Sequence, residues 1–513
     1  MNKKNVGQFL HPFLFSVAPI VILYNFNKDL LEISLLVKPF LLTLSTVLFF
    51  YLLLEKIIAD AKKRSIIISL FLGLFYLLGH IIRFNGYQLL PGITVFDYQV
   101  LPVFFLVFFL ALVILVISSK RKFTLFTEYL NLFSFLLIIF PLGSIIFYSL
   151  SSSDIFSGRQ AEFSKNTSTT FNNKHLPDIY YIILDGYGRS DILKKYYDYD
   201  NSWFIDILKD QGFYVAEKSR ANYPQTYLSV SSSLNFSYLD SIINNFDEDS
   251  EDRSALAELI KENNVSKVLK SNGYKIVRFP SSWIGAERVT ADMSFPYSGE
   301  MNEFTKMIIN ITPVKIITGD YSADGFRKKI LYTFDNASRL KNYDSPTFAY
   351  IHILSPHPPF VFDSEGDFLH SQVRFNGKDG SQYFEVFPDR EDYKIKYRDQ
   401  LSFVSKKIVG LTEQLLAGED DPIIIIQSDH GPGLMLDWDD ADNTNMEERL
   451  SILNAYYIPG NDYENFYQTI SPVNSFRMIL NTLFDKKLEI LEDKSYFAVW
   501  NKPYDFMPVL QGP

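Results

Sequence analysis

The chain has 513 residues, more than one ordinary core can hold, so at least two structural units are expected. A formal net charge of −10 argues against nucleic acid as a partner, because phosphate backbones call for clustered Lys and Arg. There is no cysteine, which excludes disulfides, thiolate metal sites and a cysteine nucleophile together, although a domain of this size can be stable in an oxidising compartment without disulfides.

Residues 1–150 are almost all apolar, and the remainder reads as a soluble acidic protein. Five apolar stretches, at about 8–25, 35–54, 65–82, 99–117 and 129–150, each approach the length needed to cross a hydrocarbon core. The first lacks a small-residue cleavage site and four more follow it, so it reads as a retained helix and not as a signal peptide. Lys3, Lys4, Lys56, Lys62, Lys63, Arg64, Lys120, Arg121 and Lys122 fall on one side of these spans, against Lys28, Lys38 and Arg83 on the other. The positive-inside rule puts the richer side in the cytoplasm, and an odd number of spans then delivers everything after Leu150 to the outside. His11 and His80 lie in or near spans. Ionisable groups at such depth are functional candidates, but no acidic partner is visible in the same segments, and the plainer reading is a neutral imidazole near a helix end.

Residues 151–176 are rich in Ser, Thr and Asn without periodicity, which predicts a linker. From Pro177 to the end at Pro513 the pattern is that of a layered α/β domain with a mostly parallel sheet. DIYYIILDGYG is a continuous apolar run closed by an acid and glycines, the pattern of a buried parallel strand. Helical patterns at 202–212 and 254–271 precede the strands GFYVAE and GYKIVRF. The strand TFAYIHIL ends before Ser355, a long helix at about 393–416 precedes PIIIIQSDHG, and LSILNAYYIPG adds another strand. Ligands of such sheets bind beyond the carboxyl ends of the strands, where Asp185, His357, Asp429 and His430 all stand.

Asp429-His430-Gly431 places a carboxylate and an imidazole after the run Ile423–Ile426, a pair suited to a hard or borderline divalent cation; the alternative is a helix cap with an incidental histidine. Asp185 shares the strand-end placement and could supply a further ligand. In YPQTYLSVSSSLNFSYL, Thr226 follows Pro224 where a helix could begin, with Ser229 one turn on. Backbone N–H groups at a helix start favour a bound phosphate and an ionised hydroxyl, whereas the alternative is N-capping by Thr226. A hydroxyl is a poor nucleophile near neutral pH unless a cation lowers its pKa. His352 and His357 flank Leu354-Ser355-Pro356, and the prolines at 356, 358 and 359 exclude helix, so His357 sits on a stiff loop as a phosphate contact or general acid, or else as a loop histidine stacked on aromatics.

These residues give the soluble part a resemblance to the alkaline phosphatase superfamily, in the branch that holds sulfatases, lipoteichoic acid synthases and lipid A phosphoethanolamine transferases. The resemblance covers about 177–485, and five spans ahead of such a domain are the architecture of those transferases. Their nucleophilic threonine opens a T-x-x-S run closing in F-S-Y-L. Thr226, Ser229 and Phe236-Ser237-Tyr238-Leu239 match it, with two extra residues between. Asp185 matches the acidic ligand after the first strand, Asp429 and His430 match the D-H-G motif, and His352 with His357 match an H-x-x-x-x-H pair. Lipoteichoic acid synthases have a comparable N-H-F-P-F loop, and SPVNSFRMILNTLF resembles the C-terminal helix. The disulfides of the phosphoethanolamine transferases have no counterpart here, and 432–449 lacks the histidine that helps hold their second metal, so one Mn or Zn site is expected. The C/S-x-P-x-R motif of formylglycine sulfatases does not occur.

The resemblance implies an inner-membrane, multi-pass enzyme with an extracytoplasmic catalytic domain. Thr226, with a metal on Asp185, Thr226, Asp429 and His430, would take a phosphoryl-linked headgroup from a membrane phospholipid and pass it to an envelope glycan or glycolipid. Ser229, His352 and His357 would contact substrate, and no nucleotide is needed. A phosphodiesterase or other sulfatase-like hydrolase could use the same residues, and an inactive membrane sensor or scaffold is the remaining alternative.

Overall fold

The computed structural model describes residues 10–28, 31–85, 100–156, 176–242, 248–295, 297, 303–315, 321–343, 346–369, 378–418, 421–484 and 486–510. The chain forms two compact units, Met1–Lys165 with Met301–Gly319, and Asn166–Glu300 with Asp320–Pro513. Lys3, Lys4 and residues 157–175 of the expected linker lie outside the described residues.

The first unit contains α1 (His11–Phe26), α2 (Ser34–Glu55), α3 (Ala61–Asn85), α4 (Val100–Ser118) and α5 (Thr124–Phe156). Four are long and apolar enough to cross a membrane, over Ser34–Glu55, Ala61–Ile82, Leu101–Ser118 and Thr124–Leu150. The first expected span is shorter. α1 has 16 residues, about 24 Å of helix against a hydrocarbon core of about 30 Å. α5 continues past Leu150 to Phe156, into the segment that reads as linker.

α1 packs against α2, α3 and α5, burying Val17, Ala18, Ile20 and Val21. Leu42, Phe49, Phe104, Ile114 and Phe140 on the other helices are exposed, the pattern of helices that meet lipid. His11 is buried at the start of α1. Its Nδ1 lies 2.6 Å from Ser69 Oγ and its backbone N–H donates to Asn131 Oδ1 at 2.8 Å, so it ties α1 to α3 and α5. His80 is exposed on α3. The helix Glu303–Asn310 also packs on α1 and α2, with Phe304 edge-on to Tyr24 at 6.1 Å. Its short amphipathic sequence is indistinguishable from a surface helix of an α/β layer, so the sequence pattern gave no sign of this placement.

The second unit is built on a seven-stranded sheet. Its strands are β1 (Ile179–Leu184), β2 (Tyr214–Val215), β3 (Lys275–Arg278), β4 (Met293–Ser294), β5 (Thr347–Ile353), β6 (Ile423–Gln427) and β7 (Asn454–Tyr457), in the order β2-β7-β6-β1-β5-β3-β4. β1 pairs in parallel with β5 and β6, as does β3 with β5 and β4; β7 runs against these strands, pairing antiparallel with β6 on one side and with β2 on the other. β1, β5 and β6 are buried along their whole length, which explains their unbroken apolar sequences. A separate hairpin joins β8 (Ser495–Phe497) and β9 (Met507–Val509).

Besides single turns at Leu239–Ile242 and Ser381–Phe384, the α-helices described in this unit are α6 (Ser190–Tyr197), α7 (Ser202–Asp210), α8 (Thr226–Leu234), α9 (Ser254–Lys261), α10 (Asn264–Ser271), α11 (Tyr321–Ala337), α12 (Arg390–Leu416), α13 (Met446–Leu450) and α14 (Pro472–Phe484). The single helix expected over 254–271 is two, because Asn263 caps α10 by accepting from Ser266 N at 2.8 Å. α12 begins where Asp389 caps the N–H groups of Glu391 and Asp392. Its Leu401, Val404 and Ile408 share a core with Ile182 and Leu184 of β1, Ile351 of β5 and Ile424 and Ile426 of β6. Each such side chain contributes roughly 1.5–3 kcal/mol on burial, so the central strands are fixed and their carboxyl ends form a rigid platform.

Candidate metal and nucleophile site

The register sets Ile183 of β1 beside His352 of β5 and Gln427 of β6, so residues just past all three strands meet at one edge. Asp185 continues the ladder, its N–H donating to Ile353 O at 3.0 Å, and His357 N–H returns to Asp185 O at 3.0 Å. Gly186 then turns with φ 74°, a conformation that favours glycine, and its N–H donates to Asp429 Oδ1 at 3.2 Å.

Asp185, Asp429 and His430 present ligand atoms that all lie within 4.8 Å of one another, and all three residues are buried. His430 Nε2 is 3.5 Å from Asp185 Oδ1 and 3.2 Å from Asp429 Oδ2. Both carboxylate oxygens of Asp185 and Oδ2 of Asp429 are buried without a hydrogen-bond donor. Buried carboxylates without donors are costly unless a cation compensates them, so the donor set fits a divalent metal. His430 Nδ1 lies 2.9 Å from Gly431 O, which places the ring proton there and leaves Nε2 a lone pair for the cation. Burial and the Arg449 guanidinium lower the His430 pKa, which keeps that lone pair free. Burial raises the Asp185 carboxyl, but the facing His357, His352 and His430 imidazoles bring it well below the usual carboxylate range.

Thr226 joins this group from α8. Its Oγ1 lies 3.1 Å from His430 Nε2. Gln225 is the cap residue and Thr226 the first helical one, so the alternative of N-capping by Thr226 does not hold and its hydroxyl faces His430. Gln225 is itself fixed by Ala498 O and Val499 O, each at 3.1 Å from Nε2. Ser229, expected beside the substrate, is buried and donates to Asp429 O at 2.7 Å, which gives it a positioning role between α8 and the D-H-G turn.

His352 is fully buried, with Nε2 3.3 Å from Asp185 Oδ2 and its ring edge-on to Trp283 at 4.8 Å. His357 retains a little exposure. Its Nδ1 lies 2.6 Å from Pro358 O, its ring centre 6.0 Å from that of His430, and its Nε2 3.7 Å from Asp379 Oδ2. Gln400 of α12 holds this loop, donating to Pro356 O and His357 O while accepting from Val361 N and Phe362 N.

Sequence reasoning missed Asp379 and Arg449. Arg449 is 1% exposed, with Nη1 2.7 Å from Asp379 Oδ2 and 3.0 Å from Gly431 O, and Nε donating to Pro224 O at 2.9 Å. One guanidinium thus ties the loop before Thr226 to the turn after His430. Tyr393 OH donates to Asp379 Oδ1 at 2.9 Å. Burial raises the Asp379 carboxyl, but His357, Arg449 and His430 take it below its ordinary value. MEERL reads as a solvated helical turn, so nothing in its pattern marks Arg449 as buried. The glycine of D-H-G has a specific cause: a Cβ at Gly431 would run into the carbonyl oxygen of Glu448.

Among solved structures, the C-terminal periplasmic domain of EcEptC from Escherichia coli in complex with Zn aligns at 12% identity and a TM-score of 0.42, covering 66% of this chain and 94% of that one. The integral membrane lipooligosaccharide phosphoethanolamine transferase A from Neisseria meningitidis aligns at 12% identity and 0.39, covering 93% and 95%. A 2-O GAG sulfatase aligns at 14% identity and 0.41, covering 61% and 72%. No curated protein matches the chain. The family model described as Sulfatase matches residues 177–469, more than half of the chain and all of the strands that carry the site, and the protein belongs to the sulfatase family of the alkaline phosphatase superfamily.

Proposed function

We propose that this enzyme is a membrane-bound, metal-dependent transferase. It moves a phosphoryl-linked headgroup, of the phosphoethanolamine or phosphoglycerol type, from a membrane phospholipid to an envelope glycan or glycolipid through a phospho-threonine intermediate on Thr226. The observation that carries the reading is the Thr226 hydroxyl 3.1 Å from His430 Nε2, beside two buried carboxylates that lack donors. The absence of a C/S-x-P-x-R motif argues for threonine and against formylglycine as nucleophile.

Asp185, Thr226, Asp429 and His430 would hold Zn or Mn. Such a cation supplies Lewis-acid polarisation of a phosphoryl oxygen and lowers the pKa of a bound hydroxyl. Thr226 Oγ forms the new bond to phosphorus, and the bond from phosphorus to the lipid alcohol breaks. His357 stands at the rim to orient the phosphate or give the departing oxygen its proton, with Asp379 behind its Nε2. The acceptor hydroxyl then displaces Thr226. The donor is already an activated phosphodiester, so neither nucleotide nor nucleic acid takes part, and the charge bias of the N-terminal loops supports a catalytic domain outside the cytoplasm.

The test uses the full chain in detergent with Zn or Mn and a headgroup-labelled phospholipid. Intact-protein and peptide mass spectrometry should find the headgroup phosphate on Thr226, and lipid and surface-glycan profiles with and without the gene should identify donor and acceptor. An unmodified Thr226 in a preparation that turns lipid over would defeat the reading. The family match favours a hydrolase as the second reading. Release of free headgroup phosphate at the same rate with and without acceptor would select it.

A further inference from the structure

A cleft of about 970 Å³ opens in the α/β unit away from the metal ligands, and neither Thr226 nor any of Asp185, Asp429 and His430 lines it. Its walls come from the segments that follow β1, precede α8 and follow α13, with Arg189, Arg220 and Ser451 among its lining residues. Arg220 pairs in an isolated antiparallel bridge with Ser451, which fixes its backbone.

The charges in this cleft are unevenly satisfied. Arg189 is held by Asp191, with Nε 2.7 Å from Oδ1, and donates to Ser219 O at 2.8 Å. Of the cleft's carboxylates, Asp191 is taken by Arg189, Glu217 by Lys209 and Glu447 by Lys195, while Asp206 is exposed. Arg220 is different. Its side chain is partly buried, its Nε is fully buried without an acceptor, and among the described residues its guanidinium makes no ion pair or hydrogen bond. Burial and the neighbouring Arg189 both disfavour its charge, against the pull of Glu447. A guanidinium set beside another cation and partly withdrawn from water gains free energy when an anion meets it. Its planar fork matches the oxygens of a phosphate. Val215, Met446, Ile452 and Val509 form an apolar stretch in a lining that is otherwise largely polar.

The geometry points to a second binding site, at Arg220, for the phosphate-ester group of a molecule whose less polar body lies along this apolar wall. The site goes beyond the proposed transfer reaction and does not depend on it. Arg220 precedes Thr226 by six residues, so the two lie within roughly 22 Å even for a fully extended chain, and one extended ligand could reach both.

The test must silence phosphate binding at the metal site, so it uses the full chain with Asp429→Asn, in phosphatidylcholine nanodiscs at low salt. Calorimetric titration with inorganic phosphate and with glycerol phosphate should give one saturable event, weakened at least tenfold by adding Arg220→Gln. Replacing a charge that has no partner should leave the melting midpoint unchanged or raised, and phosphate should raise it only where Arg220 is intact. If discs containing phosphatidylglycerol raise the midpoint in an Arg220-dependent way while soluble phosphates do not, the phosphate belongs to a lipid headgroup. Equal responses with and without Arg220, or no response to any of these probes, would overturn the site. Activity is not read, so failure here leaves the transferase reading untouched, and the reverse holds.

Discussion

Arg449 and Asp379 form an ion pair at 2.7 Å with both side chains almost entirely buried, and the Arg449 guanidinium also reaches Pro224 O and Gly431 O. Trp438 covers it, with the guanidinium carbon 5.0 Å from the ring centre. Three loops that carry Thr226, His430 and the Asp379 carboxylate behind His357 therefore meet on one cation.

Removing one partner of a buried pair strands the other, so Arg449→Met should destabilise the α/β unit by about 3–5 kcal/mol. Arg449→Lys keeps the charge but loses the Nε bond to Pro224 and the planar stacking. It should retain most of the stability and lose a larger share of kcat, because the start of α8 is no longer held against the D-H-G turn. Denaturant unfolding and turnover of the two variants decide this. A lysine variant with wild-type kcat would show that the tether does not position Thr226.

Thr226→Ala should abolish turnover and leave folding intact. Thr226 is not the cap of α8 and its hydroxyl contacts His430, so its loss should cost no more than about 1 kcal/mol of stability. Loss of a nucleophile costs several orders of magnitude in rate. Retention of more than roughly a tenth of wild-type activity would remove Thr226 from that role.

Asp429→Asn or His430→Ala should lose bound metal and activity together, since each removes a donor from one cluster. Elemental analysis of the wild-type chain should find close to one Zn or Mn per protein. Two tightly bound metals would mean that His352, with Nε2 at 3.3 Å from Asp185, helps hold a second ion. Full activity after exhaustive chelation would defeat the metal assignment.

Much of this was legible because strand-end chemistry leaves local marks. The apolar runs before Asp185 and Asp429 are strands buried on both faces, and their ends had to lie together once the sheet was parallel. His352 and His357 stood out through the prolines around them. Asp379 and Arg449 did not, because a buried ion pair is a long-range fact: neither KDG nor MEERL differs from a solvated loop or turn. The split of 254–271 turned on one capping asparagine, and the placement of Glu303–Asn310 with the N-terminal helices turned on packing that a short amphipathic pattern does not encode.

Glu448 should give stability a pH dependence opposite to that of most carboxylates. It is fully buried and accepts from Tyr197 OH and from Leu434 N at 3.1 Å and Met435 N at 2.8 Å. Burial, helped by Asp379, pushes it up to about 7 from an ordinary 4.5, against the pull of Tyr197, Met435 and Arg449. The folded state therefore keeps a proton that the unfolded state releases. This contribution is present in full below about 4.5 and is lost as pH rises through about 7. At about 1.4 kcal/mol per pKa unit, the window is on the order of 3 kcal/mol. Unfolding free energies at pH 5 and pH 8 should differ less in Glu448→Gln than in wild type, and an unchanged difference would assign the slope to other groups.

The last prediction concerns topology and rests on charge. Nine Lys or Arg residues, from Lys3 to Lys122, fall in the N-terminal tail, in the loop before α3 and its first turn, and in the loop before α5, against Lys28, Lys38 and Arg83 at the opposite ends. That bias is large for short loops, where basic residues count most. α1 decides the parity of the count: among the described residues four helices qualify by length and composition, and α1 is shorter. If α1 spans, by local thinning of the bilayer, an odd number of crossings puts Pro513 outside; if it lies within one leaflet, an even number returns Pro513 to the side of Lys3 and Lys4. A reporter fused after Pro513 that works only when exported should therefore be active, and one that fluoresces only in the cytoplasm should be dark. The opposite pattern would remove α1 from the spans, and with it both the extracytoplasmic site and its access to an outer-leaflet lipid donor.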